Sequence, residues 1–273
     1  MSDIISLHNL SLDERLKLYN KAIELHRRGL GKRKIAQMLG ISESTVSSWI
    51  YKGIKPDDTQ KYLELGRKEY DIDLSPSFEL SYIIGVVMGD GWISTVGRQH
   101  QIGLATKDKE FAEEFCRCLK KVIKGSDPKI GVKKDPRFGR TLYIVKINSR
   151  KLVNFIQSVN EAYLTKNYPE GFLRGLFDSD GYVTYHRKSY ARRVALVNTS
   201  LQLLQMVKRI LSSVFGIESK IYEKGVPDTP VIKGKKKVYL LAISKKEDIV
   251  KFYRFIGFTI KRRMKKLEEI VYG

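Results

Sequence analysis

A chain of 273 residues has room for one large domain and a small one, and its 42% hydrophobic and 30% charged residues describe a folded chain, neither disordered nor held by disulfides. Fifty-one Lys and Arg against thirty Asp and Glu leave a net charge of +21, which suits a polyanion and would be wasted on a neutral small-molecule substrate. The longest apolar run, around residues 82–89, falls far short of the ~18 residues that a membrane span needs. The first residues, MSDIISLHNLSLDERL, show no secretion pattern, and Cys116 and Cys118, two apart in a helical pattern, suit neither a disulfide nor a zinc cluster. The expectation is a nucleic-acid partner in a reducing cytoplasm, nucleoid-associated, with no membrane and no small-molecule substrate.

From Ser11, LDERLKLYNKAIELHRRGL sets Leu16, Tyr19, Ile23 and Leu25 near helical spacing, with Gly29 and Gly31 as stops. Two short helices follow in KRKIAQMLG and STVSSWIYKG, with Ile35, Ala36, Leu39, Ile41, Val46 and Trp49 or Ile50 as apolar positions. Ala36 suits a close helix crossing and Gly40 the left-handed residue that ends the first of the pair. The unit, residues 1–56, resembles the helix-turn-helix of resolvases and many regulators, in which the second helix enters the major groove. Its outward residues would be Ser42, Ser44, Thr45, Ser47, Ser48 and Lys52, hydroxyls and a cation able to approach bases and phosphates. A three-helix packing module with no groove contact is the alternative. Thirteen basic and nine acidic residues leave only +4 in the first seventy, so +17 lies beyond them. Residues 57–77, ending in Ser75-Pro76-Ser77, read as a linker with a short helix.

The rest is a duplication. YIIGVVMGDGWIS at 82–94 is echoed by FLRGLFDSDGYVT at 172–184, which puts Asp90 and Asp180 ninety residues apart. Each copy continues into a strand pair, a helix, more strands and a final helix, giving halves at 78–168 and 169–273. Gly85 with Gly89, and Gly175 with Ser179, stand four apart on one helical face. A mid-helix glycine costs ~1 kcal/mol relative to alanine, so this stripe predicts a close crossing, each copy being the other's partner. The crossing would bring Asp90 and Asp180 together at the helix ends, each before a glycine suited to a left-handed cap. Two carboxylates ~4 Å apart repel by about 4 kcal/mol at a dielectric near 20, and divalent cations reverse that sign. Oxygen ligands with room for water and phosphate suit Mg²⁺, and metals so placed could serve phosphodiester hydrolysis. Asp178 is matched by Met88 in the first copy, so only the last acid of each motif is shared.

At these residues the chain resembles the LAGLIDADG homing-endonuclease family, with IIGVVMGDG and LRGLFDSDG matching its nine-residue motif over about residues 78–270. The resemblance implies an α+β fold: a pseudo-twofold pair of αββαββα units, motif helices at their interface and two saddle-shaped antiparallel sheets straddling DNA. It also implies a monomer, with Asp90 and Asp180 as catalytic metal ligands, beside the backbone of Gly89 and Ser179, and Mg²⁺ or another divalent cation such as Mn²⁺ as cofactor. Family members often carry a basic residue near each metal site. YLTKNYPEGF and FTIKRRMKKL suggest Lys166 and Lys261 for that part, with Arg262 and Arg263 as weaker candidates. Met88 and Gly89 stand where the family often has an acid and Ala.

Strands would read the duplex through their polar faces. Ile102 and Leu104 are expected inside, leaving Gln99 and Gln101 outward, with Tyr182, Thr184 and His186 as the corresponding set after the second motif. Lys133, Lys134, Arg137 and Arg140, Arg192 and Arg193, and Lys235, Lys236 and Lys237 are expected to reach phosphates. The function this implies is a site-specific double-stranded DNA endonuclease acting at a long pseudo-palindromic site. A non-cleaving transcriptional regulator on the same fold is the alternative, with an RNA maturase behind it.

Overall fold

The computed structural model describes residues 7, 10–57, 70–95, 100–135, 139–186, 188–226 and 236–273. The chain forms two compact units, Met1–Glu69 and Tyr70–Gly273, each with its own buried cluster.

The first unit is three helices: α1 (Leu12–Arg27), α2 (Lys32–Leu39) and α3 (Glu43–Tyr51). Ser11 opens α1 with a capping box, its hydroxyl accepting from the Glu14 N–H while Glu14 reaches back. Gly40 closes α2 at φ 63°, which a left-handed turn residue must supply. Ile35, Ala36, Ile41, Val46 and Trp49 are buried as expected, with Leu39 and Ile50 packed at the edge of the cluster. In α1 the inward face is one step off the expectation. Ala22 and Leu25 are buried with Leu18 and Tyr19 against them, whereas Leu16 and Ile23 lie outside the cluster. Both 18, 22, 25 and 16, 19, 23 have helical spacing, so periodicity alone does not choose between these faces.

In the second unit the two halves have the same order. The first runs α4 (Phe78–Met88), β2 (Gly91–Ser94), β3 (Gln101–Thr106), α5 (Lys109–Val122), β5 (Ile130–Lys134), β6 (Thr141–Asn148), α6 (Arg150–Ser158) and a short α7 (Glu161–Lys166). The second runs α8 (Pro169–Asp180), β7 (Gly181–His186), β8 (Ala191–Asn198), α9 (Leu201–Phe215), β9 (Lys220–Gly225), β10 (Val238–Ile243), α10 (Lys246–Phe255) and α11 (Lys261–Tyr272). Both halves make a four-stranded antiparallel sheet with the same topology, β2-β3-β6-β5 and β7-β8-β10-β9. This is the expected doubled αββαββα architecture. Residues 70–77 are not free linker: β1 (Asp71–Ile72) pairs with β4 (Ile123–Lys124), and Ile72 is buried in the core of the second unit.

The halves meet along α4 and α8, which lie parallel with their backbones almost touching. A Cβ on Gly85 would stand 2.1 Å from the Phe172 carbonyl oxygen, and one on Gly175 would stand 2.3 Å from that of Tyr82. These are the same contact seen from either side of the pseudo-twofold axis, since 82 and 85 match 172 and 175. At the C-terminal ends a Cβ on Gly89 would stand 2.4 Å from Cβ of Ser179, so the Gly85, Gly89, Gly175 and Ser179 stripe is the interface of the halves. Gly91 and Gly181 do not adopt the left-handed cap expected of them. Each begins a strand, and their smallness serves close approach to the preceding helix, where a Cβ would meet the Val86 oxygen at 2.9 Å and the Phe177 oxygen at 2.4 Å.

Candidate active site

Because α4 and α8 lie parallel and in register, the last acid of each motif comes to the same end of the pair. Asp90 follows Gly89, the C-cap of α4, and Asp180 is the last residue of α8. Their charges are close enough to act on one another: burial pushes Asp180 up to about 6, and Asp90 adds to that shift. Asp90 is also raised, again chiefly by burial, with Asp108 adding to it and the Arg263 guanidinium opposing it. Neither acid has a full set of partners. Asp180 accepts one hydrogen bond, from Nδ2 of Asn198 at 2.8 Å at the end of β8.

Asp178, two residues earlier on α8, is turned away from this pair and serves the fold. It is 1% exposed, accepting from the Tyr82 hydroxyl at 2.9 Å and from the Thr259 N–H at 2.9 Å, which ties α4, α8 and the approach to α11 at one point. Burial raises it to about 6 against those two bonds.

The cation at the site is Arg263. Its Nη1 donates to the carbonyls of Phe177 at 2.9 Å and Asp178 at 2.7 Å, in the last turn of α8, and its charge acts on Asp90, Asp178 and Asp180. The two lysines expected here take other places. Lys166 ends α7, three residues before α8 begins, so it sits at the N-terminal end of a motif helix whose acid is roughly 16 Å away at the other end. Lys261 is exposed, and pairs with Glu110 of the first half through both its N–H, at 2.9 Å, and its ammonium, at 3.7 Å. Both lysines belong to the closing segment of their half, Lys166 ending α7 and Lys261 opening α11, and neither is the cation that bonds to the end of α8. Arg262 makes a two-bond fork on Asp108, at 3.1 and 3.0 Å.

The groove-side residues are partly where the pattern puts them. Ile102 and Leu104 are buried in the core, and Gln101 lies on the opposite face of its strand, donating to the Asn148 amide oxygen at 3.3 Å. Val183 and Tyr185 face the core, which leaves Tyr182, Thr184 and His186 on the outer face of β7. Adjacent basic residues on a strand divide between faces. Arg193, opposite Thr184, is outward, whereas Arg192 stands opposite core-facing Tyr185. Lys133 shares the outer face with Gly131, while Lys134 follows the parity of Ile130, which packs on the core. Both are exposed, as are Arg140, Lys236 and Lys237, the last paired with Glu223 at 2.9 Å. Gln99, Arg137 and Lys235 lie outside the described residues. In α3 the hydroxyls of Ser42, Ser44 and Thr45 bond one another, Ser42 also caps the helix, and Ser48 donates to the Ser44 carbonyl.

Sequence reasoning missed Trp92. Its ring covers Gly103 across the β2–β3 pair, on the outer face two residues past Asp90, where a glycine Cβ would meet the indole at 2.3 Å. Tyr182 stands in the same relation to Ala195 in the second half, and an aromatic two residues after each acid was the available signal.

The donor set suits a hard divalent cation. Among the described residues no three His, Cys, Asp or Glu gather at metal-binding spacing, and the acids that could hold such a cation are Asp90 and Asp180. Mg²⁺ is held in this way, through one or two carboxylates with water and substrate phosphate completing the shell.

Comparison with known proteins agrees with this architecture. The profile of the LAGLIDADG-like domain matches residues 77–160 and 167–257, and that of a homeodomain-like domain matches residues 9–50. The uncharacterized protein MJ0398 of Methanocaldococcus jannaschii is 32% identical, over 98% of both chains. Among solved structures, full-length DUF199/WhiA from Thermatoga maritima is similar in fold, with a TM-score of 0.50 at 18% identity over 72% of this chain and 61% of its own. Variants of the homing endonuclease I-DmoI give a TM-score of 0.46 at 19% identity, over 66% of this chain and 95% of theirs.

Proposed function

Because the chain belongs to the LAGLIDADG-like family and carries an N-terminal helix-turn-helix, we propose that it is a site-specific double-stranded DNA endonuclease. It would act as a monomer at a long pseudo-palindromic site, in the cytoplasm on nucleoid DNA. The observation that carries the reading is the arrival of one acid from each half at a common point, in the duplicated helix ends of Asp90 and Asp180. A duplex has two scissile phosphates related by a twofold axis, and a monomer with a pseudo-twofold pair of acids meets that symmetry.

Asp90 and Asp180 would hold Mg²⁺ or Mn²⁺. When bound, such a cation supplies Lewis acidity to a phosphodiester oxygen and to the attacking water. The chain's own residues do the rest. The glycine contacts fix the spacing of the acids, Asn198 orients Asp180, and Arg263 offsets the negative charge collected at two helix C-termini. Gln101, Tyr182, Thr184, His186 and Arg193 face outward on the sheets to meet the duplex, with Lys133 and the exposed lysines near 236 toward flanking phosphates.

Purified protein with Mg²⁺ should cut members of a randomised duplex library, and Asp180→Asn should bind the selected site without cutting both strands. Double-strand cutting retained by that variant would remove the mechanism. One observation favours the second reading, a non-cleaving DNA-binding regulator: a guanidinium already sits among the carboxylates, so the pair has a counter-charge without metal. Selective binding with no cleavage under any divalent ion would establish it.

A further inference from the structure

Residues 259–263 make hydrogen bonds that reach α8 and the start of α5, and through Asp178 they reach α4. Thr259 N–H binds Asp178 of α8, whose other oxygen takes the Tyr82 hydroxyl of α4. Lys261 N–H and the Arg262 fork bind Glu110 and Asp108 at the start of α5, in the first half. Arg263 donates twice to the last turn of α8. The segment lies beyond residue 257, where the match to the family profile ends.

We propose that Arg263, bound to the end of α8 where Gly89 and Ser179 bring the two motif helices together, is a resident counter-cation for the acid pair, a positioning residue that offsets their charge when no metal is bound and gives up part of that role to a divalent ion. The argument is electrostatic. Two carboxylates and two helix C-termini converge, each favouring a cation nearby. Arg263 is the basic side chain that both reaches the terminal carbonyls and acts on both acids; Lys261 and Arg262 are occupied with Glu110 and Asp108. A guanidinium suits this place because the two N–H groups of Nη1 serve two carbonyls at once and its charge is permanent.

The inference rests on the cation-binding part of the proposed function and not on cleavage. The test uses the full chain and Arg263→Gln, whose amide keeps a donor for one carbonyl while removing the charge. In EDTA, calorimetry should show the transition of the Tyr70–Gly273 unit falling by roughly 4 °C or more. Mn²⁺ should restore most of that loss in the variant while raising the wild type less. Adding Asp90→Asn and Asp180→Asn to the variant should also restore it, because the repulsion is gone. Mn²⁺ titrated without DNA should bind Arg263→Gln several-fold tighter than wild type, since a neighbouring positive charge is removed. A residue that merely braced α8 would give weaker Mn²⁺ binding, and that result, or no rescue by the Asn substitutions, overturns the proposal. Arg263→Lys keeps the charge and should resemble wild type in Mn²⁺ affinity, which covers the case of a poorly folded Gln variant; Lys binding Mn²⁺ as tightly as a neutral side chain would count against it. Cleavage is read separately: a protein that never cuts yet shows this coupling refutes only the nuclease, and one that cuts without it refutes only the counter-cation.

Discussion

At Asp178 a carboxylate is buried between the Tyr82 hydroxyl and the Thr259 N–H, and burial outweighs both, leaving it at about 6 against 3.8 in the unfolded chain. Between those values the folded protein holds a proton that the unfolded chain has released, so stability must fall as pH rises from about 4 to about 6 and then level off. Two units correspond to roughly 3 kcal/mol at most. Asp178→Asn should therefore flatten the pH dependence of urea unfolding across that window, while its amide oxygen still accepts from Thr259. An unchanged slope would mean that the buried carboxyl does not titrate there. Asp180, also at about 6, contributes a second share with the same sign, which should persist in the Asp178→Asn protein.

The motif helices are held by contact between backbones, and the glycines are what allow it. Gly85→Ala puts a methyl 2.1 Å from the Phe172 oxygen and Gly175→Ala puts one 2.3 Å from that of Tyr82, with backbone rather than a flexible side-chain tip in the way. Overpacking typically costs 1–3 kcal/mol, and here the helices must part along their length, so each variant should lose roughly 3 kcal/mol or more in denaturant unfolding. Little or no loss, or a net gain near the ~1 kcal/mol expected from helix propensity alone, would show the crossing to be looser than described. This much was legible in the sequence, because a glycine four residues from another small residue, repeated ninety residues on, has no cheap explanation except a close partner. The order of elements along each half followed from the duplication in the same way. What could not be read was anything set by α11 crossing to the other half. Arg263 reaches carbonyls 85 and 86 residues back in the chain, and Asn198 reaches Asp180 from the far end of a hairpin. Lys166 and Lys261 hold similar places in the two copies, but Lys166 ends α7 beside the start of α8 and Lys261 pairs with Glu110, so position within a copy did not reveal the cation. The outward faces of the strands fared better where alternation was strict, as in β7, than where two basic residues were adjacent.

On the scale of the whole molecule, the separation of two buried clusters and the distribution of charge lead to one further expectation. Among the described residues, the core of the second unit takes only partly buried Tyr70 from the first seventy, so removing residues 1–69 should leave it folded. The removed segment carries +4 of the +21, and the acids, Arg263 and both sheets remain. Salt weakens DNA binding with a slope of about −0.9 per neutralised phosphate, since each contact releases a counterion. If the second unit supplies the main electrostatic surface, the truncated protein should keep well over half of the wild-type slope of log affinity against log salt, while its overall affinity and selectivity fall. Equilibrium titrations of both proteins on the same selected duplex at several salt concentrations would decide it. A slope cut by more than half would move the principal phosphate contacts to the helix-turn-helix and leave the sheets with a smaller part, and a nearly flat slope in the intact chain would contradict the reading of its charge altogether. Cleavage by the truncated protein, at concentrations high enough to offset its weaker binding, should continue, because no group assigned to the acid pair lies before residue 70.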